Sequence, residues 1–225
     1  FSAPTGARVR KKLDPAFMHK YDLSTLKHIF MAGEPLDQPT HEWFMGELGI
    51  PVIDNYWQTE TGWPMLAACP GVEKTPIKFG SPSFPVYGYN LNIYREDGSI
   101  CGPNEKGIAA VVPPLPPGCL STVWGQDERF VSTYFDLFKD PLVYSSYDWA
   151  IKDDDGYFTI LGRTDDVINV AGHRLGTREI EEAIQNHAAI AEVAVVGVED
   201  KLKGQVPMAF AVVKDASKVA TPELV

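Results

Sequence analysis

Apolar residues recur along this chain in two rhythms, and the change of rhythm divides it. Pro4 can open a helix and nothing interrupts residues 4 to 12 before Asp14-Pro15, so a helix is expected there. Leu26 to Ala32 is a short apolar run ending in Gly33-Glu34-Pro35, the pattern of a buried strand entering a tight loop. Pro39 opens a second helix with Trp43, Phe44 and Leu48 on its apolar face, and Pro51-Val52-Ile53 forms the next strand. Strand, loop, helix and strand in that order imply a parallel α/β sheet.

From about residue 77 the apolar segments shorten to Tyr87 to Tyr94, Gly107 to Val112 and Tyr157 to Leu161. Glycines, prolines and the Asp153-Asp154-Asp155-Gly156 turn punctuate them, which predicts a small β-rich subdomain. Val112 to Gly118 carries four prolines and reads as a rigid surface connection, not a central strand. After Gly162-Arg163-Thr164-Asp165-Asp166 a new unit begins with a strand, Val167 to Val170, and a turn at Gly172. A helix from Thr177 to His187 follows, with Thr177 as N-cap and Ile180, Ala183 and Ile184 as its buried stripe, then strands Val193 to Val198 and Pro207 to Val213. The expected division is 1–76 as part of a large α/β subdomain, 77–164 as a β-rich subdomain, and 165–225 as a truncated α+β C-terminal domain one or two elements short of closure.

Composition narrows the classes. With 44% hydrophobic residues in 225, the chain can bury a sizeable core. A formal net charge of -10, with no basic cluster longer than Arg8 to Lys12, argues against nucleic acid as a partner. Cys69, Cys101 and Cys119 are odd in number and far apart, matching neither a disulfide framework nor a zinc spacing, so a reducing, cytoplasmic compartment is expected. No apolar run approaches the roughly 20 residues that span a bilayer, so no membrane is expected, and the first residues lack the order of a signal peptide.

Three segments carry candidate chemistry. Asp54-Asn55-Tyr56-Trp57-Gln58-Thr59-Glu60-Thr61-Gly62 follows a strand, where ligands of open α/β sheets sit. Its aromatics, hydroxyls and carboxylate could stack on a base, donate to phosphate and ligate magnesium; a rim of packed aromatics has the same composition. The Gly33-Glu34-Pro35 turn is weak by itself and gains weight from emerging at the same sheet edge. Gly162 to Gly176 places Arg163 as a candidate for vicinal hydroxyls or phosphate and Asp165 between units of different texture, as a hinge or as part of a surface salt-bridge network. Trp43, Trp63, Trp124 and Trp149 read as packing residues and His187 as a helix-end residue.

Taken together, APTGAR, AGEPLD, DNYWQTETGWP, GYNLNIYREDG, PLPPGCLSTVWG, RFVSTYF, DDDGYFTILGRTDDVINVAGHRLGTREIEEAI and AEVAVVG resemble one family over essentially the whole chain. That family is the adenylate-forming (AMP-forming) acyl-CoA synthetases, in their acetate and propionate branch; the Tyr56 variant and PPGCLSTVWG look more like propionate enzymes. The resemblance implies an enzyme that joins a carboxylate to ATP, releases pyrophosphate and passes the acyl group to coenzyme A. It implies that Gly33, Glu34 and Pro35 line the adenine, Tyr56 stacks on it, and Asp54, Asn55, Trp57 and Gln58 complete the nucleotide loop. Thr59 would contact the α-phosphate and Glu60 would hold Mg2+ with ATP. Asp148, 15 residues before Arg163, would grip the ribose with Arg163, although Ser146-Tyr147 precedes it where many relatives have a glycine. Arg174 would reach phosphate, Asp165 would be the hinge, Ala171 and Gly172 would border the coenzyme A tunnel, and His187 could lie near a second metal.

In the same frame Trp57 closes the acyl pocket against long chains, and Ala32 leaves room for about one methylene beyond acetate, worth roughly 0.8 kcal/mol. Propionate is expected first, with acetate and butyrate poorer. A serine-, threonine- and glycine-rich phosphate loop and a terminal lysine, both parts of the family's machinery, do not occur in these 225 residues. The expectation is therefore a ligase as the intact protein and a chain inactive, or nearly so, by itself. Acetate or acetoacetate specificity, and a non-catalytic nucleotide-binding or scaffolding module, are the rival readings.

Overall fold

The structure is a computed structural model. It describes residues 1–214 except 14, 35, 139, 186 and 188, and leaves aside the side chains of 15–17, 174 and 182. Two compact units emerge, Phe1–Ile160 and Leu161–Val225.

In the first unit, α1 (Pro4–Lys12) starts on a proline and stops short of the Asp14-Pro15 pair. Its N-cap, Ala3, has no side-chain acceptor. The strand β1 (Ile29–Met31) is shorter than its apolar run, because a turn from Leu23 O to Leu26 N consumes the start. Helix α2 (Gln38–Leu48) is capped by Asp37, whose carboxylate accepts from Thr40 N, and ends on Gly49 in the left-handed region. Strand β2 (Val52–Tyr56) lies parallel to β1, in register Ile29↔Val52 and Met31↔Asp54. The expected parallel sheet is thus real but small, since β3 (Leu66–Ala67) joins β2 antiparallel. Ala7, Met31, Leu36, Phe44 and Val52 form the core beneath this layer, with Trp43 and Leu48 packed against it.

The β-rich part is a four-stranded sheet in the order β4 (Leu91–Tyr94), β5 (Gly107–Val111), β6 (Tyr144–Lys152), β7 (Phe158–Arg163). Two of its elements were not predicted: β6, and the helix α3 (Asp127–Tyr134), which buries only Phe130. Buried residues of β3 to β7, among them Leu66, Leu91, Val111, Tyr144 and Phe158, make the largest core. Of the tryptophans expected to pack, Trp149 does, but Trp63 is 61% and Trp124 97% exposed. Both sit beside glycines with positive φ, Gly62 and Gly125.

The second unit is an antiparallel sheet, β10 (Ile190–Asp200), β11 (Gly204–Val213), β8 (Val167–Val170), β9 (His173–Gly176), with α4 (Thr177–Gln185) against β10 and β9. Thr177 is the first helical residue, not the cap, and its hydroxyl donates to the Asp166 carboxylate at 2.9 Å. The expected stripe is only partly covered, with Ile180 and Ile184 half-buried and Ala183 exposed.

Candidate functional site

The parallel pairing sets the C-terminal ends of β1 and β2 side by side, and the Asn55 amide crosses to Met31 O at 2.8 Å. Asp54, Asn55 and Tyr56 belong to β2 itself, not to the loop after it, so the free loop starts at Trp57. Beyond β1 stand Ala32, half-buried, and Gly33, whose φ of +100° favours glycine and whose Cβ side is open space. Pro35 lies outside the described residues.

Four residues from distant parts of the chain meet here. Gln58 Nε2 donates to Asp148 Oδ2 at 2.8 Å and to Ser146 O at 2.7 Å. Its Oε1 accepts from the Tyr144 hydroxyl at 3.1 Å, so the amide is held at both ends. The Tyr56 hydroxyl also donates to Asp148 Oδ2. Burial first, and the Asp148 carboxylate second, push the Tyr56 phenol well above its ordinary value, which keeps it a donor. Burial likewise raises Tyr144.

Asp148 reaches this position because β6 bulges. The register with β5 jumps between Ile108↔Trp149 and Ala110↔Ser145. Within the bulge Tyr147 adopts φ 57°, the conformation a glycine takes without strain. Its hydroxyl donates to Thr133 O at 2.7 Å, and Ser146 Oγ donates to Ala109 O and accepts from Asp148 N. Tyr147 in this conformation therefore leaves the aspartate delivered to the cluster.

Next along the chain, Thr59–Thr61 form one 3-10 turn. The Thr61 hydroxyl donates to Gln58 O at 2.8 Å and accepts from Gln58 N at 3.0 Å. Two segments brace the turn from outside: just after the proline-rich connection Leu120 N donates to Glu60 O at 2.6 Å, and just before β4 the Tyr89 hydroxyl donates to Thr61 O at 2.8 Å. Thr59 is exposed at the start of the turn, while Glu60 is half-buried with Oε1 accepting from the Tyr134 hydroxyl at 3.0 Å.

Within the first unit, Glu34 stands apart from this cluster. The Glu34 carboxylate is taken up by α1, accepting from Thr5 N at 2.7 Å, from the Thr5 hydroxyl and from Arg8. Trp57 is 44% exposed. In the second unit, Arg163 and Asp165 pair with each other at 2.9 Å, and that hydrogen bond lowers the Asp165 carboxyl. Ala171 and Gly172 form the β8–β9 turn, both at positive φ, with Ala171 N donating to Lys203 O at 2.8 Å. Arg174 lies in β9 opposite Asn169. His187, just past α4, is exposed, and its Nδ1 accepts from Ala189 N at 3.2 Å. Sequence reasoning did not assign Tyr134 or Tyr144; the only signal was their place within RFVSTYF and just ahead of Asp148.

Among the described residues no group of three or more His, Cys, Asp and Glu could hold a metal ion. A single carboxylate at Glu60 fits Mg2+ arriving with phosphates, since that ion takes one or two protein carboxylates and completes its shell with phosphate and water.

The chain belongs to the AMP-binding enzyme family, whose two parts it matches in order: AMP-binding enzyme over residues 2–111 and AMP-binding enzyme C-terminal domain over residues 179–225. It is 58% identical to the propionate–CoA ligase of Escherichia coli (strain K12), over 97% of this chain and 35% of that protein. To the propionate–CoA ligase of Salmonella typhimurium it is 54% identical, over 99% of this chain and 36% of the relative. An acetyl-coenzyme A synthetase of Chlorobaculum tepidum is 41% identical over 96% of this chain and 32% of its own length. The chain therefore spans about a third of the curated relatives it matches. Among solved structures it resembles the anthranilate CoA ligase AuaEII in complex with anthranoyl-AMP, with TM-score 0.77 and 27% identity over 100% of this chain and 41% of that one.

Proposed function

We propose that this chain carries the nucleotide and acyl sites of an ATP-dependent, AMP-forming short-chain acyl-CoA ligase that acts on propionate. The supporting observation is the convergence of Tyr56, Gln58 and Asp148 beyond the β2 strand end, with Glu60 one turn further on. Identities of 58% and 54% to propionate–CoA ligases, against 41% to an acetyl-coenzyme A synthetase, favour propionate over acetate.

In this reading the propionate carboxylate attacks the α-phosphorus of ATP, forming propionyl-adenylate and expelling pyrophosphate. The coenzyme A thiol then displaces AMP, giving propionyl-CoA. Asp148 accepts from the ribose hydroxyls, held in place by Gln58; Tyr56 and the Gly33 turn line the adenine. Thr59 stabilises charge on the α-phosphate as it builds. Glu60 would hold a Mg2+ arriving with ATP, which would supply charge neutralisation to the phosphates. Arg163 and Arg174 belong to the nucleotide side, Asp165 is the hinge, and Ala171 and Gly172 border the pantetheine path. Ala32 and Trp57 set the acyl pocket. Residues 1–76, 77–164 and 165–225 serve as parts of the α/β subdomain, the β-rich subdomain and the C-terminal domain. No helix among the described residues is long and apolar enough to cross a membrane.

The test is acid-dependent ATP–pyrophosphate exchange by the full-length protein carrying this segment. Propionate is expected to outperform acetate and butyrate, by about 10-fold to 200-fold in kcat/KM for one methylene. A preference for acetate would transfer the assignment to the acetate branch, and no exchange with any acid of two to four carbons would refute it.

A further inference from the structure

Two tyrosines to which the sequence assigned no role connect the carboxylates of the candidate site. Tyr134, the last residue of α3, donates its hydroxyl to Glu60 Oε1 at 3.0 Å. Its ring lies on that of Tyr144, with centroids 5.2 Å apart and planes 12° from parallel. Tyr144 in turn donates to Gln58 Oε1 at 3.1 Å, and Gln58 donates to Asp148 at 2.8 Å. A continuous line of contacts thus runs from Glu60 through Tyr134, Tyr144 and Gln58 to Asp148.

Packing by itself does not need the Tyr134 oxygen. The ring contacts of Tyr134, to Phe130 at 5.6 Å and to Tyr144, would be made equally by phenylalanine. The hydroxyl instead reaches one oxygen of a glutamate whose backbone is already fixed by Leu120 N. Glu60 is half-buried, and one of its two carboxylate oxygens, Oε1, is held by that hydroxyl. Such an arrangement prepares a flexible side chain for a cation before the cation arrives, which is how partners behind a metal ligand raise its affinity.

We infer that Tyr134 is a positioning residue: it fixes the Glu60 carboxylate for the divalent cation accompanying the nucleotide, and its stack on Tyr144 ties that carboxylate to the Gln58–Asp148 pair. The inference rests on the ligase reading above and adds a residue on α3 to it.

The experiment measures the affinity of a non-hydrolysable ATP analogue by calorimetry, with and without Mg2+, in the full-length protein carrying this segment. Tyr134→Phe keeps the ring and removes the oxygen. It is expected to cut the Mg2+-dependent gain in affinity by about 10-fold while leaving metal-free affinity unchanged. In a Glu60→Gln background the same substitution is expected to have no further effect. Thermal melting checks that Tyr134→Phe remains folded; should it not, Glu60→Gln combined with Tyr144→Phe, compared with each single change, reads the same coupling through the stack. An unchanged Mg2+ gain in Tyr134→Phe, or a loss equal with and without the metal, would overturn the inference. A wild type that binds the analogue with no Mg2+ dependence would instead defeat the ligase reading beneath it.

Discussion

Asp148 is the residue on which the site turns. It is 6% exposed, yet it faces two donors on the same oxygen, the Tyr56 phenol and the Gln58 amide. Truncating a donor to a buried carboxylate leaves that acceptor short and costs about 1–3 kcal/mol. Tyr56→Phe is accordingly expected to raise the KM for ATP by roughly 10-fold in steady-state assays, with kcat less affected, because the aspartate loses orientation and not its charge. A loss in kcat alone would place Tyr56 in the chemistry instead. Gly62 is equally sharply constrained. It has φ +64°, and a Cβ there would sit 2.3 Å from Gly118 O, a backbone atom. Gly62→Ala is expected to destabilise the protein by about 2 kcal/mol or more in urea denaturation, since the turn carrying Glu60 must pull away from the proline-rich brace.

Single elements show where local pattern suffices and where it fails. Helix α2 was legible because Pro39 and the apolar face coincide with a capping aspartate and a terminal glycine. Helix α3 was not, since only Phe130 of its eight residues is buried. Strand β6 was missed for a different reason: the bulge at Tyr147 breaks the period-two alternation on which strand recognition depends. Helix α1 has at its N-cap Ala3, which carries no acceptor, and borrows one from Glu34, three residues past β1. Glu34→Ala is expected to cost about 1–2 kcal/mol of stability, readable as a lowered denaturation midpoint, even without nucleotide. A variant of unchanged stability would return Glu34 to ligand binding alone.

Between α2 and β2 sits a second element-scale feature, His41, at 0% exposure. Its Nε2 meets Val52 O at 2.6 Å, Nδ1 has no hydrogen-bond partner among the described residues, and the ring packs edge-on to Phe79. Burial lowers its pKa below the ordinary 6.5, against the smaller opposing effects of Val52 O, Asp37 and Glu42. A depressed histidine binds fewer protons folded than unfolded, so stability is full above 6.5 and is lost as pH falls below it. The loss is at most about 1.4 kcal/mol per pH unit, and it should shrink in His41→Gln when denaturation curves at pH 7.5 and 5.5 are compared. An identical pH slope in the variant would remove His41 as its source.

At the scale of the whole molecule, the collinear motifs pointed to the family that the comparisons show, and they put Tyr56, Gln58, Glu60 and Asp148 forward as residues of one nucleotide site. They could not show how the site is held together. Tyr134 and Tyr144 reach Glu60 and Gln58 across 74 and 86 positions of sequence, a separation no local pattern encodes. Nor could they show that the Glu34 carboxylate serves α1. The central claim is that Asp148, brought by the β6 bulge to the ends of β1 and β2, grips the ribose of an acyl-adenylate. Calorimetric titration of the full-length protein with a non-reactive propionyl-adenylate analogue tests it directly. The account expects Asp148→Ala to weaken binding by about 100-fold, two charge-assisted hydrogen bonds to the ribose being lost together, in titrations run well below a melting temperature that falls because the Tyr56 and Gln58 donors lose their acceptor. Undiminished affinity in that variant would contradict it.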